Sequence, residues 1–150
     1  MTEVADRGEL TCRRVHDAPR ELLFGCMTRP EHLTHFWGPA GTSTPPGGIT
    51  AGLRPGGLFE TVMVNDADGS MYTMRAVCVE VRRPDRLVRT EPDAGMTTTI
   101  TFAEPAGGRT GVVTRQANVP AAYRSPGAQQ GFRTSLDRCA AYVASLTRKE

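Results

Sequence analysis

Ser125-Pro-Gly-Ala-Gln-Gln-Gly-Phe-Arg-Thr-Ser-Leu-Asp-Arg-Cys-Ala-Ala-Tyr-Val143 is the stretch on which the reading of this chain turns. Ser125 is a good N-cap, and Pro126 a good first helical residue, since proline lacks an amide hydrogen that a helix start would leave unpaired. Beyond them Phe132, Leu136, Cys139, Ala140 and Val143 recur at helical spacing and make one apolar stripe. A helix over residues 126–147 is about 33 Å long at 1.5 Å per residue. A strand of ten residues spans about the same distance. One long terminal helix can therefore lie along a curved sheet.

Ahead of that helix the sequence reads as a run of strands: Leu58 to Val64, Met71 to Val81, Arg86 to Glu91, Met96 to Phe102 and Thr110 to Val119. The segments between them, Asn65-Asp-Ala-Asp-Gly69, Arg83-Pro-Asp85, Asp93-Ala-Gly95 and Pro105-Ala-Gly-Gly108, are turns too short for crossover helices. Neighbouring strands are therefore antiparallel. Met96, Thr98, Ile100 and Phe102 face one way, and Thr97, Thr99 and Thr101 the other. Phe59, Thr61 and Met63 share a face in the same manner. Arg115 stays unassigned, because its strand does not alternate cleanly.

Glu9 to Val15 alternates and reads as the first strand. Asp17 is placed to cap a helix with Pro19 in its first turn, turning Leu22, Leu23 and Cys26 inward. Thr28-Arg-Pro-Glu31 has the form of a capping box, with Pro30 opening a second short helix. That helix buries Leu33, Phe36 and Trp37 and ends near Gly38-Pro39. Ala40 to Gly57 is rich in Gly, Pro, Ser and Thr. It reads as a long loop with one short strand near Ile49 to Leu53, and a loop of that length suggests a rim or lid. The whole order is α+β and helix-grip: a curved antiparallel sheet wrapped around a long C-terminal helix, with two short helices after the first strand.

A chain of 150 residues has the size of one domain, 1–150, with no internal repeat. It can bury roughly two-thirds of its unfolded surface, so no disulfide or metal is needed; no cofactor is expected. Cys12, Cys26, Cys78 and Cys139 lie far apart in apolar-periodic segments and read as small buried hydrophobes. No apolar run is long enough to span a membrane. Met1 to Arg7 lacks the basic and apolar regions of a signal peptide, so the expected location is cytoplasmic. The net charge is +2, and Lys149 is the only lysine. The arginine bias fits a GC-rich bacterial genome. The arginines form no basic block and aromatics are few, which argues against nucleic-acid binding.

Several stretches resemble a known family. Ala18-Pro-Arg-Glu-Leu-Leu-Phe24 is similar to its first helix, and Thr28-Arg-Pro-Glu-His-Leu33 with Phe36-Trp-Gly-Pro39 to its second. Arg54-Pro-Gly-Gly57 with Phe59 and Met63, and Val79-Glu-Val81 with Pro84-Asp-Arg-Leu-Val88, match its strand and turn motifs. Gly131-Phe132 with Leu136-Asp-Arg138 matches the start of its last helix. No single motif is specific; the ordered set, over residues 9 to 147, is. On this set the chain resembles the activator of heat-shock-protein-90 ATPase homologue-like family of the SRPBCC (START-like) superfamily. It departs from the family in carrying Phe36, Phe59 and Phe132 at positions where tryptophan is common, changes that resize a pocket. The resemblance implies a cavity between sheet and last helix. Superfamily relatives bind lipids, sterols, hormones and polyketides; a few catalyse cyclisation, and some are cleaved in place of an enediyne's target.

On that basis a pocket is expected from Trp37, Phe59, Met63, Met74, Thr98, Ile100, Phe132 and Leu136, an apolar set with a few polar groups and flexible methionines. The plain alternative is that these side chains fill the core. His32 and His35, three apart beside Glu31, have the spacing of a helical metal pair but lack a third ligand, and read as surface histidines. His16 has no evident partner. The inward faces that can be assigned carry no Asp, Glu or His. Glu60, Arg75 and Arg115 are the only charged strand residues considered for the interior, and outward orientation is expected for them. Arg138, Arg148 and Lys149 read as the solvated end of the helix.

The leading expectation is noncatalytic binding of a small hydrophobic molecule, lipid- or polyketide-like, with no metal. One alternative is a cyclase- or hydrolase-like enzyme using Arg115 or Thr98 to polarise a carbonyl, a reading that loses its machinery if Arg115 and Glu60 face solvent. Others are a cochaperone-like protein-binding domain, for which known activators carry a further N-terminal domain, and a sacrificial resistance protein cleaved at a glycine. A homodimer is common for small domains, and no stretch marks an interface.

Overall fold

The computed structural model describes residues 2–5, 8–104 and 107–147. Among them nine strands form one antiparallel sheet: β1 (Thr2–Ala5), β2 (Glu9–His16), β3 (Thr42–Ser43), β4 (Ile49–Ala51), β5 (Leu58–Asn65), β6 (Met71–Arg82), β7 (Arg86–Glu91), β8 (Met96–Ala103) and β9 (Thr110–Ala117). Their order is β1-β2-β9-β8-β7-β6-β5-β3, and β4 also pairs with β5. Helices α1 (Arg20–Cys26) and α2 (Pro30–Leu33) follow β2, and α3 (Pro126–Thr147) follows β9. This is the helix-grip fold, a curved antiparallel sheet with a long C-terminal helix. The expected first strand is β2, because the N-terminal residues add β1 as an edge strand, with Thr2 opposite Cys12 and Ala5 opposite Glu9.

The core lies where α1 and α2 cover the sheet. Leu23, Phe24, Leu33 and Phe36 pack with Phe59, Ala76, Leu87, Ile100 and Phe102, and α3 adds Cys139 and Val143. Phe24 meets Phe102 edge to face, with ring centroids 5.4 Å apart. All four cysteines are buried.

The start of α3 follows its sequence signal: Ser125 Oγ accepts the amide of Ala128 at 3.1 Å. The other two helix starts do not. Asp17 caps nothing; α1 starts after Pro19, whose ψ of 153° keeps the chain extended there, so Asp17 falls two residues short of the cap position. Thr28-Arg-Pro-Glu31 is not a capping box either. The N-cap of α2 is Arg29, and the Thr28 hydroxyl turns back to donate to Phe24 O at 2.8 Å, serving the end of α1.

Residues 40–57 are not a lid. They pair along β5 as β3 and β4, joined by a 3₁₀ turn at Pro46–Gly48. Within them Gly57 is obligatory, because a Cβ there would collide with the carbonyl oxygen of Gly52. Arg148, Lys149 and the Pro105-Ala106 half of the β8–β9 turn lie outside the described residues. Among the described residues no helix is long and apolar enough to cross a membrane.

Candidate functional site

Antiparallel register lines up inward side chains in rows across the sheet. Gln116 on β9 lies opposite Thr98 on β8, Thr98 opposite Arg89 on β7, and Arg89 opposite Cys78 on β6. The next row runs Cys12, Thr114, Ile100, Leu87. Period-two alternation puts both rows on the inner face; the first is polar and the second mainly apolar. Over these rows stands α3, and between them is a cavity of about 250 Å³. Leu23 and Met27 close it on the α1 side, and Trp37, Gly38 and Pro39 line it beyond α2. From α3, Phe132, Ser135, Leu136 and Cys139 complete it. A second hollow, of about 370 Å³, shares Pro39, Tyr72, Gln116, Phe132 and Ser135 with the first. Phe132 thus stands on the boundary between the two.

The helix is held over the cavity by polar latches. Arg138 is no solvated tail residue: its Nη1 donates to Gly38 O and Pro39 O, each at 2.9 Å. The Ala40 amide donates to Thr134 Oγ1 at 3.0 Å, and Arg14 on β2 pairs with Asp137 at 2.9 Å. Gly38 is needed for the turn itself, since its φ is +99° and a Cβ would sit 2.6 Å from Thr42 Oγ1. On the cavity floor, Trp37 Nε1 donates to Thr61 Oγ1 at 3.0 Å, which fixes the indole.

Of the eight residues expected at a pocket, Trp37, Met63, Thr98, Ile100, Phe132 and Leu136 come together around the cavity. Phe59 and Met74 do not line it. Phe59 is buried one layer deeper, edge-on to Trp37 with centroids 5.4 Å apart. Met74 packs at the margin of the core and borders a separate hollow with Thr73, Arg75 and Tyr123. Glu60 and Arg75 form an outward ion pair at 2.7 Å, and Arg115 is exposed, so neither Arg115 nor Glu60 supplies polar machinery to the interior. His32 and His35 flank Tyr142: His32 Nδ1 is hydrogen-bonded to its hydroxyl at 2.6 Å, and His35 stacks on its ring at 5.0 Å. Among the described residues no group of His, Cys, Asp and Glu could hold a metal ion.

The inward faces assigned from sequence carry no His or acidic group, but strands whose faces stay unassigned there bring charge to the cavity. Arg14, His16, Arg89 and Glu91 all line the cavity. The alternation of Leu10, Cys12, Arg14 and His16 along β2 carries the signal for two of them. Arg89 gives none, because Leu87, Val88 and Arg89 are buried in succession. A bulge between Cys78 and Glu80 also breaks the period of the neighbouring strand. Burial pushes the Cys139 thiol up to about 12 and that of Cys26 to about 11, so both stay protonated and un-nucleophilic at neutral pH.

Burial, aided by Arg14, lowers the pKa of His16. A histidine whose folded pKa is depressed takes up a proton more readily when unfolded. Its stabilising contribution is therefore present above the ordinary value of 6.5 and lost as pH falls below it. Glu91, with its pKa raised by burial, acts in the opposite sense. Denaturant titrations of wild type and His16→Gln between about pH 7 and 5 isolate the histidine. Wild type loses more stability than the variant on acidification; parallel curves would show that His16 is protonated equally in both states.

Solved structures share this fold. A Chromobacterium violaceum protein is 24% identical, with a TM-score of 0.81, covering 89% of this chain and 96% of its own. A Rhodobacter sphaeroides protein is 18% identical, with a TM-score of 0.86 over 99% and 100% of the two chains. The AHSA1 protein of Silicibacter pomeroyi is 22% identical, with a TM-score of 0.77 over 93% and 99%. At these identities the likeness shows the fold. No curated protein matches the chain. The family model for activator of Hsp90 ATPase homolog 1-like proteins matches residues 17–144, most of the chain, and the protein therefore belongs to that family.

Proposed function

We propose that the protein binds a small hydrophobic molecule, lipid- or polyketide-like, in the cavity between the sheet and α3, without converting it chemically. The observation that carries this reading is the cavity itself, about 250 Å³ and walled mostly by apolar side chains from both layers. An engineered apolar cavity of about 150 Å³ admits benzene, so this one has room for a larger body of about two fused rings. A few polar groups among apolar walls is the usual make-up of a ligand site. The absence of a positioned acid–base pair favours binding over catalysis: among the described residues, no hydrogen bond or ion pair joins His16 to a carboxylate. The residues assigned to the ligand are Trp37, Met63, Thr98, Ile100, Phe132 and Leu136.

Native mass spectrometry of the purified protein, followed by titration with the neutral dye N-phenyl-1-naphthylamine, tests the reading. A co-purifying mass, or saturable dye uptake displaced by lipids or polyketides, is the expected result. No adduct and no saturable uptake would mean that the protein does not accept ligands there.

A further inference from the structure

The cavity holds a cation that no carboxylate pairs among the described residues. Arg89, in the middle of β7, is 5% exposed. Its guanidinium lies over the Phe59 ring, 3.7 Å from the centroid, and Nη2 donates to Met27 O at 2.8 Å. Its Nε meets no acceptor among the described residues. Every ion pair among the described residues joins other groups. Burial lowers the pKa of Arg89 to about 10, the neighbouring Cys78 sulfur acting the other way, which still leaves it charged at neutral pH and beside a thiol rather than a carboxylate. A buried charge without a partner is costly, and such a group normally finds an anion.

We infer that the ligand is an acid, and that Arg89 receives its carboxylate within the cavity; this rests on the cavity being the binding site. The remaining charges there do not compete. Arg14 is committed to Asp137, burial lowers the pKa of His16, and among the described residues no ion pair or hydrogen bond joins the Glu91 carboxylate to Arg89. One uncompensated cation matches one negative charge, and a planar guanidinium fork matches a planar carboxylate. A phosphate dianion would bring a second charge, and among the described residues lining the cavity the other arginine, Arg14, is already paired. Thr98, directly across the strand pair from Arg89, and Gln116 beyond it offer a hydroxyl and an amide along the same row. The apolar body of the acid then points to Phe132 and Leu136.

Isothermal titration with 2-naphthoate and 2-naphthamide, at about pH 8 where the acid is ionised, tests this in the wild-type protein. The naphthoate is expected to bind about ten- to a hundredfold more tightly, the usual worth of a hydrogen bond to a charged group. Arg89→Met is expected to remove that advantage, so that naphthoate binds no more tightly than naphthamide. Equal affinities in wild type, or an acid preference that survives Arg89→Met, would overturn the inference and leave the cavity reading standing. Failure of both probes to bind wild type would overturn both. If Arg89→Met does not fold, the wild-type ratio of acid to amide decides.

Discussion

Phe132→Asp lowers the affinity for a neutral naphthyl dye by at least about a hundredfold, with little change in the circular dichroism of the fold. Phe132 lines both hollows and is only half-buried on α3. An aspartate there can turn its charge towards water in the free protein, so the helix survives. A ligand that fills the cavity forces that carboxylate into an apolar setting, at a cost of several kcal/mol. Each 1.4 kcal/mol is tenfold in affinity, so two decades is a conservative expectation. Unchanged dye affinity would show that the dye binds elsewhere. Met74→Asp is the matched control: although the sequence pairs Met74 with Phe132 as a pocket residue, its side chain borders a different hollow, and dye binding should survive it.

Phe59→Ala is expected to lower the stability more than any single change in the cavity wall. Phe59 is 2% exposed, supports the Trp37 ring from below and carries the Arg89 guanidinium on its face. Truncating a buried phenylalanine costs about 3–5 kcal/mol, and losing a desolvated cation–π contact adds up to about 2 kcal/mol. For a protein of this size that corresponds to a melting temperature lower by roughly 10–20 °C. Thermal denaturation followed by circular dichroism measures it. A shift of only a few degrees would mean that neighbours collapse into the space and that Arg89 finds another support.

The bounds of α3 were legible because two local signals, Ser125 and Pro126, coincide with the onset of the apolar stripe. The strands were legible because their turns are short and rich in Gly, Asp and Asn. Helix caps at Asp17 and Thr28 misled, since a capping residue is defined by where the helix starts, and the chain stays extended through Pro19 and Arg29 before each helix begins. Strand parity groups Phe59 with Thr61 and Met63, and the register sets Met74 opposite Thr61 on the same face. Parity cannot say how deep along that face the cavity lies. That depends on the height of α3 above each row, and α3 is held by Arg138 and Arg14, residues whose partners are more than ninety positions away. Arg89 was invisible for a different reason: a charged residue amid buried neighbours is read as solvated unless a site is already suspected.

Leaving about 250 Å³ between sheet and helix unfilled by side chains forgoes on the order of 6 kcal/mol of packing, at about 24 cal/mol per Å³ of cavity. That is comparable with the whole net stability of an ordinary domain. Folding and occupancy are thereby linked: a molecule present at a hundred times its dissociation constant returns about 2.7 kcal/mol to the native state. The melting point of this protein is in that sense a gauge of what it holds.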